Sequence, residues 1–263
     1  MLWYGKAAQY ILIGSDKVRF GVKSDRGKVR EINEDSYNVI VGYPGIPVSF
    51  IIADGMGGHN SGEVASKAAV DSASKYILES PKVLSEAEDI LQVIKEVMED
   101  ANKYVFKKSL ESEVDFGMGT TLIVAVVHDK KLFIGHVGDS RVYMLRDHGI
   151  DRLTEDHSFI EELIKNGTLT REEAENHPNK NVITRALGCA ENIQIDTYSY
   201  DLRDDDICIM CTDGLTNMLS EAEIKEIIEV NEDLELTCEK LVAEANKKGG
   251  EDNITVIAFK NIC

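Results

Sequence analysis

The sequence predicts an α+β protein in which two antiparallel β-sheets are covered by helices. Three observations carry this. Short strand-like runs recur between Val18 and Phe259, and helical patterns arrive in adjacent pairs. The run from Thr120 to Arg146 reads as consecutive strands joined by tight reversals. A parallel doubly wound sheet would instead place a helix after nearly every strand. At 263 residues the chain can bury a full core and is most simply one domain spanning 1–263.

Taken in order, Trp3, Tyr4, Tyr10, Ile11 and Leu12 offer an edge strand or a partly ordered arm. Val18 to Lys23 and Tyr37 to Val41 read as short strands, with Gly27 marking the turn between them. Val48-Ser49-Phe50-Ile51-Ile52-Ala53 is a strongly apolar strand expected to stop at Asp54, where Gly55, Gly57 and Gly58 let the backbone bend. A helix follows over 61–79, with Val64, Ala65, Ala68, Ala69 and Ala73 forming a small-residue stripe, and Pro81 closes that region. A second helix over 87–109 carries Ile90, Leu91, Ile94, Val97, Met98, Ala101 and Val105 at spacings of three and four.

Strands are then expected over 120–127, 131–137 and 141–146, with Asp129-Lys130 as a hairpin turn and Gly138-Asp139 as a second reversal. Strands at 207–211 and 254–259 flank two late helices. Ser220 and Glu223 have capping-box spacing before Ile224, Ile227 and Ile228. The other helix, over 234–247, sets Leu234, Cys238, Leu241, Val242 and Ala245 on one face. The segment from His157 to Leu187 is polar, with only Ile160, Leu163, Ile164 and Leu169 as a short apolar face. It reads as a small helical flap beside the site, with a helix start at Thr170 and Glu173.

Composition excludes several roles. The 29 basic and 47 acidic residues give a formal charge of -18, a field that repels nucleic acid and anionic membrane. Cys208, Cys211 and Cys238 lie in apolar runs and read as reduced core residues. With no long apolar stretch and no charged leader before a hydrophobic core, the expectation is a cytoplasmic protein.

The chemistry rests on acids at the ends of distant strands. Asp54 follows a buried run and precedes a glycine-rich loop, which suits a carboxylate bridging two cations, with the Gly55 carbonyl as a further ligand. Glu34 and Asp35 are neighbours, so in extended chain their side chains face opposite ways. One can ligate directly while the other holds coordinated water. Asp213 and Asp252 can complete the first cation. Oxygen-rich ligation without a cysteine or histidine cluster favours Mg²⁺ or Mn²⁺ over Zn²⁺. Arg30 supplies a bidentate fork for a phosphoryl group. Together these groups describe metal-assisted hydrolysis of a phosphate ester. Singly each is weaker: an Asp-Gly pair is often a turn, Arg30 fits a surface ion pair, and Asp139 fits a hairpin cap.

In combination they resemble the metal-dependent PPM, or PP2C-like, family of serine/threonine protein phosphatases. The matching stretches are Ser24-Asp25-Arg26-Gly27, Arg30-Glu31-Ile32-Asn33-Glu34-Asp35, Ala53-Asp54-Gly55-Met56-Gly57-Gly58, Gly119-Thr120-Thr121 and Gly138-Asp139-Ser140-Arg141. They continue with Thr154-Glu155-Asp156-His157-Ser158, Thr184-Arg185-Ala186-Leu187-Gly188, Thr212-Asp213-Gly214-Leu215 and Asp252-Asn253-Ile254-Thr255. The resemblance implies a four-layer α-β-β-α sandwich with a binuclear centre between the sheets. It implies Asp54 as bridging ligand, Asp213 and Asp252 on one metal, and Glu34 with the Gly55 carbonyl on the other. Asp35 would hold coordinated water and Arg30 the substrate phosphate. Asp139 would help Asp213 bind a weaker third metal, and a flap at about 158–182 would shape substrate choice.

One departure matters. Animal members place histidine after the Asp-Gly pair as a proposed general acid, whereas this chain has Met56, so water at the centre would take that role. His59 lies nearby and suits packing in the glycine loop or at the helix start. The resemblance further implies a stand-alone bacterial monomer acting on phosphorylated serine/threonine proteins, among them a Ser/Thr protein kinase and its targets. The rival readings are a phosphatase of a phosphorylated anti-sigma antagonist and a noncatalytic phosphoprotein-binding scaffold.

Overall fold

Alternation along each strand decides the architecture, because successive side chains point to opposite faces of a sheet. In the computed structural model, which describes residues 11–13, 16–57, 61–79, 84, 89–111, 115–174 and 177–262, Phe50 and Ile52 face one apolar core while Ile51 and Ala53 face another. Cys208 and Met210 likewise point to the shared core, and Ile209 and Cys211 to a third. Three stacked cores require four layers. Expectations for Trp3, Tyr4, Tyr10, Gly58, His59 and Pro81 fall outside the described residues.

The strands are β1 (Ile11–Ile13), β2 (Asp16–Asp25), β3 (Asp35–Ile40), β4 (Val48–Met56), β5 (Gly119–Thr120) and β6 (Leu122–His128). They continue with β7 (Lys131–Val137), β8 (Arg141–Arg146), β9 (Gly149–Arg152), β10 (Asp196–Asp201), β11 (Ile207–Cys211) and β12 (Ile254–Ile262). One sheet has the order β1-β2-β12-β11-β8-β9 and the other β10-β7-β6-β4-β3, with β5 pairing β4. The paired strands are antiparallel, as expected. Helices α1 (Ser61–Glu79) and α2 (Ile90–Ser109) cover the second sheet. The first sheet is covered by α5 (Asp213–Thr216), α6 (Glu221–Glu229) and α7 (Leu234–Lys247). Between the sheets Phe50 stacks on Phe259 with ring centroids 4.3 Å apart. Each such buried ring stabilises the fold by about 1.5–3 kcal/mol.

Several boundaries move for physical reasons. β4 does not stop at Asp54 but continues to Met56, because Gly55 and Met56 find partners in Thr120 and Gly119. α2 begins at Ile90 because the Asp89 side chain accepts the Gln92 N–H and caps it. The capping box at Ser220 and Glu223 forms in full. Asp129 and Lys130 adopt φ of 48° and 58°, the left-handed pair of a type I′ hairpin. Asp147 and His148 do the same at 50° and 60° and add β9, a strand the sequence reading omitted. β10 was also omitted. Cys208 and Cys211 have Cys-x-x-Cys spacing, yet β11 sends them to opposite cores and both are free thiols. Among the described residues no helix is long and apolar enough to cross a membrane.

Asn102, 1 % exposed on α2, fastens the loop that follows the flap. Its amide donates to Ala190 O and Glu191 O, both at 3.0 Å, and its oxygen accepts the Gly188 N–H at 2.9 Å. Asn102→Leu removes the partner of three backbone groups, of which the Gly188 N–H is buried, so a loss of about 1–3 kcal/mol is expected. Urea unfolding of the variant measures it, and an unchanged midpoint would contradict this role.

Candidate active site

The second sheet ends in two acids placed side by side. β3 and β4 pair in a register that sets Asp35 opposite Asp54. Asp54 is fixed at its backbone: its N–H donates to Thr121 Oγ1 (2.8 Å), and its carbonyl accepts the Thr121 N–H and the Thr120 hydroxyl, both at 2.8 Å. Thr121 Oγ1 lies 2.9 Å from Ser140 Oγ, which ties this strand end to the loop carrying Asp139. That loop turns at Gly138, whose φ of +111° favours glycine and whose absent Cβ would lie 2.6 Å from Thr121 Cβ.

The first sheet brings the remaining acids. Asp213 opens α5 directly after β11, with Asn217 Nδ2 donating to its Oδ2 at 3.0 Å. Asp252 precedes β12, and its neighbour Asn253 anchors the Arg30 loop by donating to Arg26 O and Ile32 O, both at 2.9 Å, and accepting the Glu34 N–H at 2.7 Å. Glu34 and Asp35 diverge as expected. The Glu34 carboxylate turns to the N-terminus of α1, where the Gly62 and Glu63 N–H groups reach it and the helix dipole favours it. The Asp35 carboxylate turns to the first sheet and meets Thr212 and Thr255.

Gly62 makes this approach possible. A Cβ there would lie 2.5 Å from Glu34 Oε1 and 2.7 Å from Gly55 O. α1 thus begins directly against a carboxylate and a backbone carbonyl that sit together. Arg30, largely exposed, places Nη2 2.7 Å from Asp252 Oδ2 and Nη1 4.0 Å from Glu34 Oε2. Its fork therefore stands at the rim of the acidic cluster, and in this arrangement it is paired with Asp252.

The electrostatics are those of acids crowded out of water. Burial pushes the Asp35 carboxyl up to about 7, with Asp213 and Asp252 adding to the rise against the hydroxyl bonds from Thr255 and Thr212. Burial also raises Asp54, and the charges of Asp35, Asp213, Asp139 and Asp252 add to it. Asp139 is raised by burial and by Asp213 and Asp156, and Asp213 by burial and by Asp252. A hydrogen bond with Asp54 works against the rise at Asp213. Asp35 Oδ1 and Asp139 Oδ1 are buried and have no hydrogen-bond partner. Among the described residues no three acid, histidine or cysteine side chains are already gathered at metal-holding spacing.

The donor set nonetheless fits divalent cations. It is all oxygen, it holds two unpartnered buried carboxylate oxygens, and burial among like charges weakens its acids, a state that a nearby cation would relieve. Asp139 contributes one of these two unpartnered oxygens. The flap is helical as expected, with α3 (Phe159–Lys165) capped by Ser158 and α4 (Arg171–Ala174). Its base is tied to the Asp139 loop. The His157 N–H donates to Gly138 O (2.8 Å), and His157 Nδ1 accepts the Gly138 N–H (3.0 Å). Sequence reasoning quoted Thr212, Asn253 and Thr255 without giving them roles and overlooked Gly62. For Gly62, a glycine beside the start of a helix that faces an acid was the available signal.

Comparison with known proteins gives one consistent result. A family model described as protein phosphatase 2C matches residues 26–248. The serine/threonine phosphatase stp of Listeria monocytogenes serotype 4b is 41% identical over 236 residues, covering 89% of this chain and 92% of that protein. The crystal structure of the Mycobacterium tuberculosis serine/threonine phosphatase PstP/Ppp superposes with a TM-score of 0.83 at 32% identity, covering 92% of this chain and 98% of the other. The catalytic domain of PstP in complex with two manganese ions superposes with a TM-score of 0.80 at 31% identity, covering 94% and 99%.

Proposed function

The chain belongs to the protein phosphatase 2C family and is a protein-serine/threonine phosphatase, and we propose that it hydrolyses its phosphoesters at a binuclear Mg²⁺ or Mn²⁺ centre built on Asp54. The observation that carries this is the register that sets Asp35 opposite Asp54 inside a cluster with Asp213 and Asp252. Asp54 would bridge the pair, with Asp213 and Asp252 on one cation and Glu34 with the Gly55 carbonyl on the other. Asp139 and Asp213 would hold a weaker third. When bound, such cations neutralise the acids, polarise a phosphoryl oxygen and lower the pKa of a water.

The protein groups supply the rest. Arg30 offers a planar fork to two phosphoryl oxygens once it leaves Asp252. Asp35, through its unpartnered Oδ1, accepts a hydrogen bond from the attacking water and orients it towards phosphorus. The water oxygen forms the new P–O bond, giving up a proton through its hydrogen bond to Asp35 and on to solvent, as the bond to the serine or threonine oxygen breaks. Met56 has no proton to give, so a water at the centre would protonate the leaving alkoxide. We place the enzyme in the cytoplasm, as a monomer reversing phosphorylation by a bacterial Ser/Thr kinase.

The direct test is phosphate release from a phosphothreonine peptide by chelator-stripped protein, titrated with Mn²⁺ and then Mg²⁺. Activity absent without metal and restored by either ion is the expected result. A folded protein without turnover at any metal concentration would move the site to a phosphoprotein-binding role. Arg30→Ala is expected to lower kcat/KM about 10- to 100-fold through loss of a charge-assisted bidentate contact. Peptide kinetics would measure the change, and a value close to wild type would leave Arg30 as only a surface ion pair with Asp252.

A further inference from the structure

We propose that Thr255 and Thr212 form a hydroxyl clamp that positions Asp35 for hydrolysis, with Ser24 and Asn33 setting the direction of the clamp. The proposal rests on the phosphatase reading above and assigns work to side chains that bind neither cation nor phosphate.

Both hydroxyls come from the opposite sheet and end on one oxygen. Thr255 Oγ1 donates to Asp35 Oδ2 at 2.7 Å and Thr212 Oγ1 to the same oxygen at 3.0 Å. All three residues are buried, Asp35 at 8 % exposure and the two threonines at 0%. With Oδ2 doubly occupied, Oδ1 is the oxygen left without a partner. The carboxylate is therefore held in one orientation, with a fixed bonded oxygen and a fixed open one.

Thr212 shows that the arrangement is not local convenience. It occupies the N-cap position of α5, where a threonine hydroxyl ordinarily accepts a backbone N–H of the first turn, yet it makes no side-chain cap. Its hydroxyl instead accepts the Thr255 N–H at 3.0 Å and gives its proton to Asp35. A capping bond worth about 1 kcal/mol has been forgone.

The hydroxyl hydrogens on the Thr255 arm can run only one way. Asn33 Oδ1 accepts the Asp35 N–H at 3.2 Å, so its amide nitrogen faces Ser24 and donates to Ser24 Oγ at 2.8 Å. Ser24 then gives its proton to Thr255 Oγ1, 2.8 Å away, and Thr255 gives its own to Asp35 Oδ2. The bonds close a ring that leaves from the Asp35 backbone and returns to the Asp35 side chain. An amide donor at one end and a carboxylate at the other polarise every bond between them in the same sense.

The test compares Thr255→Val, which keeps the shape and the strand preference but has no hydroxyl, with Thr255→Ser, which keeps the hydroxyl. A lost positioning contact is expected to lower kcat about 10- to 100-fold in the valine variant with KM within about twofold, and the serine variant is expected to recover most of it. Thr212→Val should behave as Thr255→Val does. A second readout needs no turnover. In metal-free urea unfolding, Thr255→Val should shift the midpoint in the wild-type background and much less beside Asp35→Ala, because the two residues act through one contact. Equal kinetics for all variants, equal losses for valine and serine, or additive midpoint shifts would each overturn the proposal. If wild type released no phosphate with any metal, the catalytic part would fall with the proposed function, while the midpoints would still decide whether the clamp holds Asp35.

Discussion

Asp54→Asn is expected to abolish phosphate release and, in the same protein, to raise the melting temperature of the metal-free form. The two effects share a cause. Asp54 sits where the charges of Asp35, Asp213, Asp139 and Asp252 converge, and burial together with those charges holds its carboxyl well above its ordinary range. Without cations this crowding opposes folding, so a neutral isostere relieves it. A relief of about 1 kcal/mol corresponds to roughly 3 °C in a chain of this size. With cations the same carboxylate is the proposed bridge, and its loss should lower kcat by at least about a thousandfold. Phosphate release at saturating Mn²⁺ and calorimetric melting in chelator give the two readings. Near-wild-type turnover would remove Asp54 from the centre. A lower metal-free melting temperature would mean that protein hydrogen bonds, not absent cations, satisfy its charge. The combination is the signature of a residue kept for function at the expense of stability.

Most of the frame was legible because periodicity reports burial. The stripe on 61–79 and the apolar face on 234–247 gave helices with those bounds. The Asp129-Lys130 turn followed from residues able to occupy the left-handed region. β10 escaped because Asp196 to Asp201 is a polar edge strand whose partners on β7 lie about sixty residues earlier, and such pairing leaves little local signal. The overrun of β4 to Met56 escaped for the same reason, since its last two residues pair with β5. At the site, the acids were readable as residue types at strand ends. Their supports were not. That Thr212 forgoes its cap, or that Gly62 admits a carboxylate and a carbonyl at once, depends on atoms brought together only by folding.

The metal-dependent gain in stability is expected to grow as pH rises from 6 to 8. The sign follows from the acids. Asp35 is pushed up to about 7 by burial, and Asp54, Asp139 and Asp213 are raised by burial and by one another. In the unfolded chain each titrates near 4. Above about pH 4 the folded metal-free protein binds more protons than the unfolded one, so the contribution of these acids is complete below about pH 4 and is lost as pH rises through their raised folded values, about 7 for Asp35. Two histidines push the other way: burial and His157 lower His136 to about 3, and burial, with Arg185 adding, lowers His157. Their contribution is lost as pH falls below about 6.5, so a bare melting curve mixes both signs. The difference between Mn²⁺-loaded and metal-free melting temperatures separates them, because neither histidine is among the proposed ligands. At constant free Mn²⁺ that difference should widen by roughly 5 °C or more from pH 6 to pH 8, since cations displace protons from raised carboxyls. Calorimetric Mn²⁺ titration at pH 6.5 in two buffers of different ionisation enthalpy should report net proton release. A pH-independent difference without proton release would mean that the acids are already ionised in the metal-free protein. Their charge would then be balanced within the fold by groups such as Arg30, and the cluster would have no need of two cations.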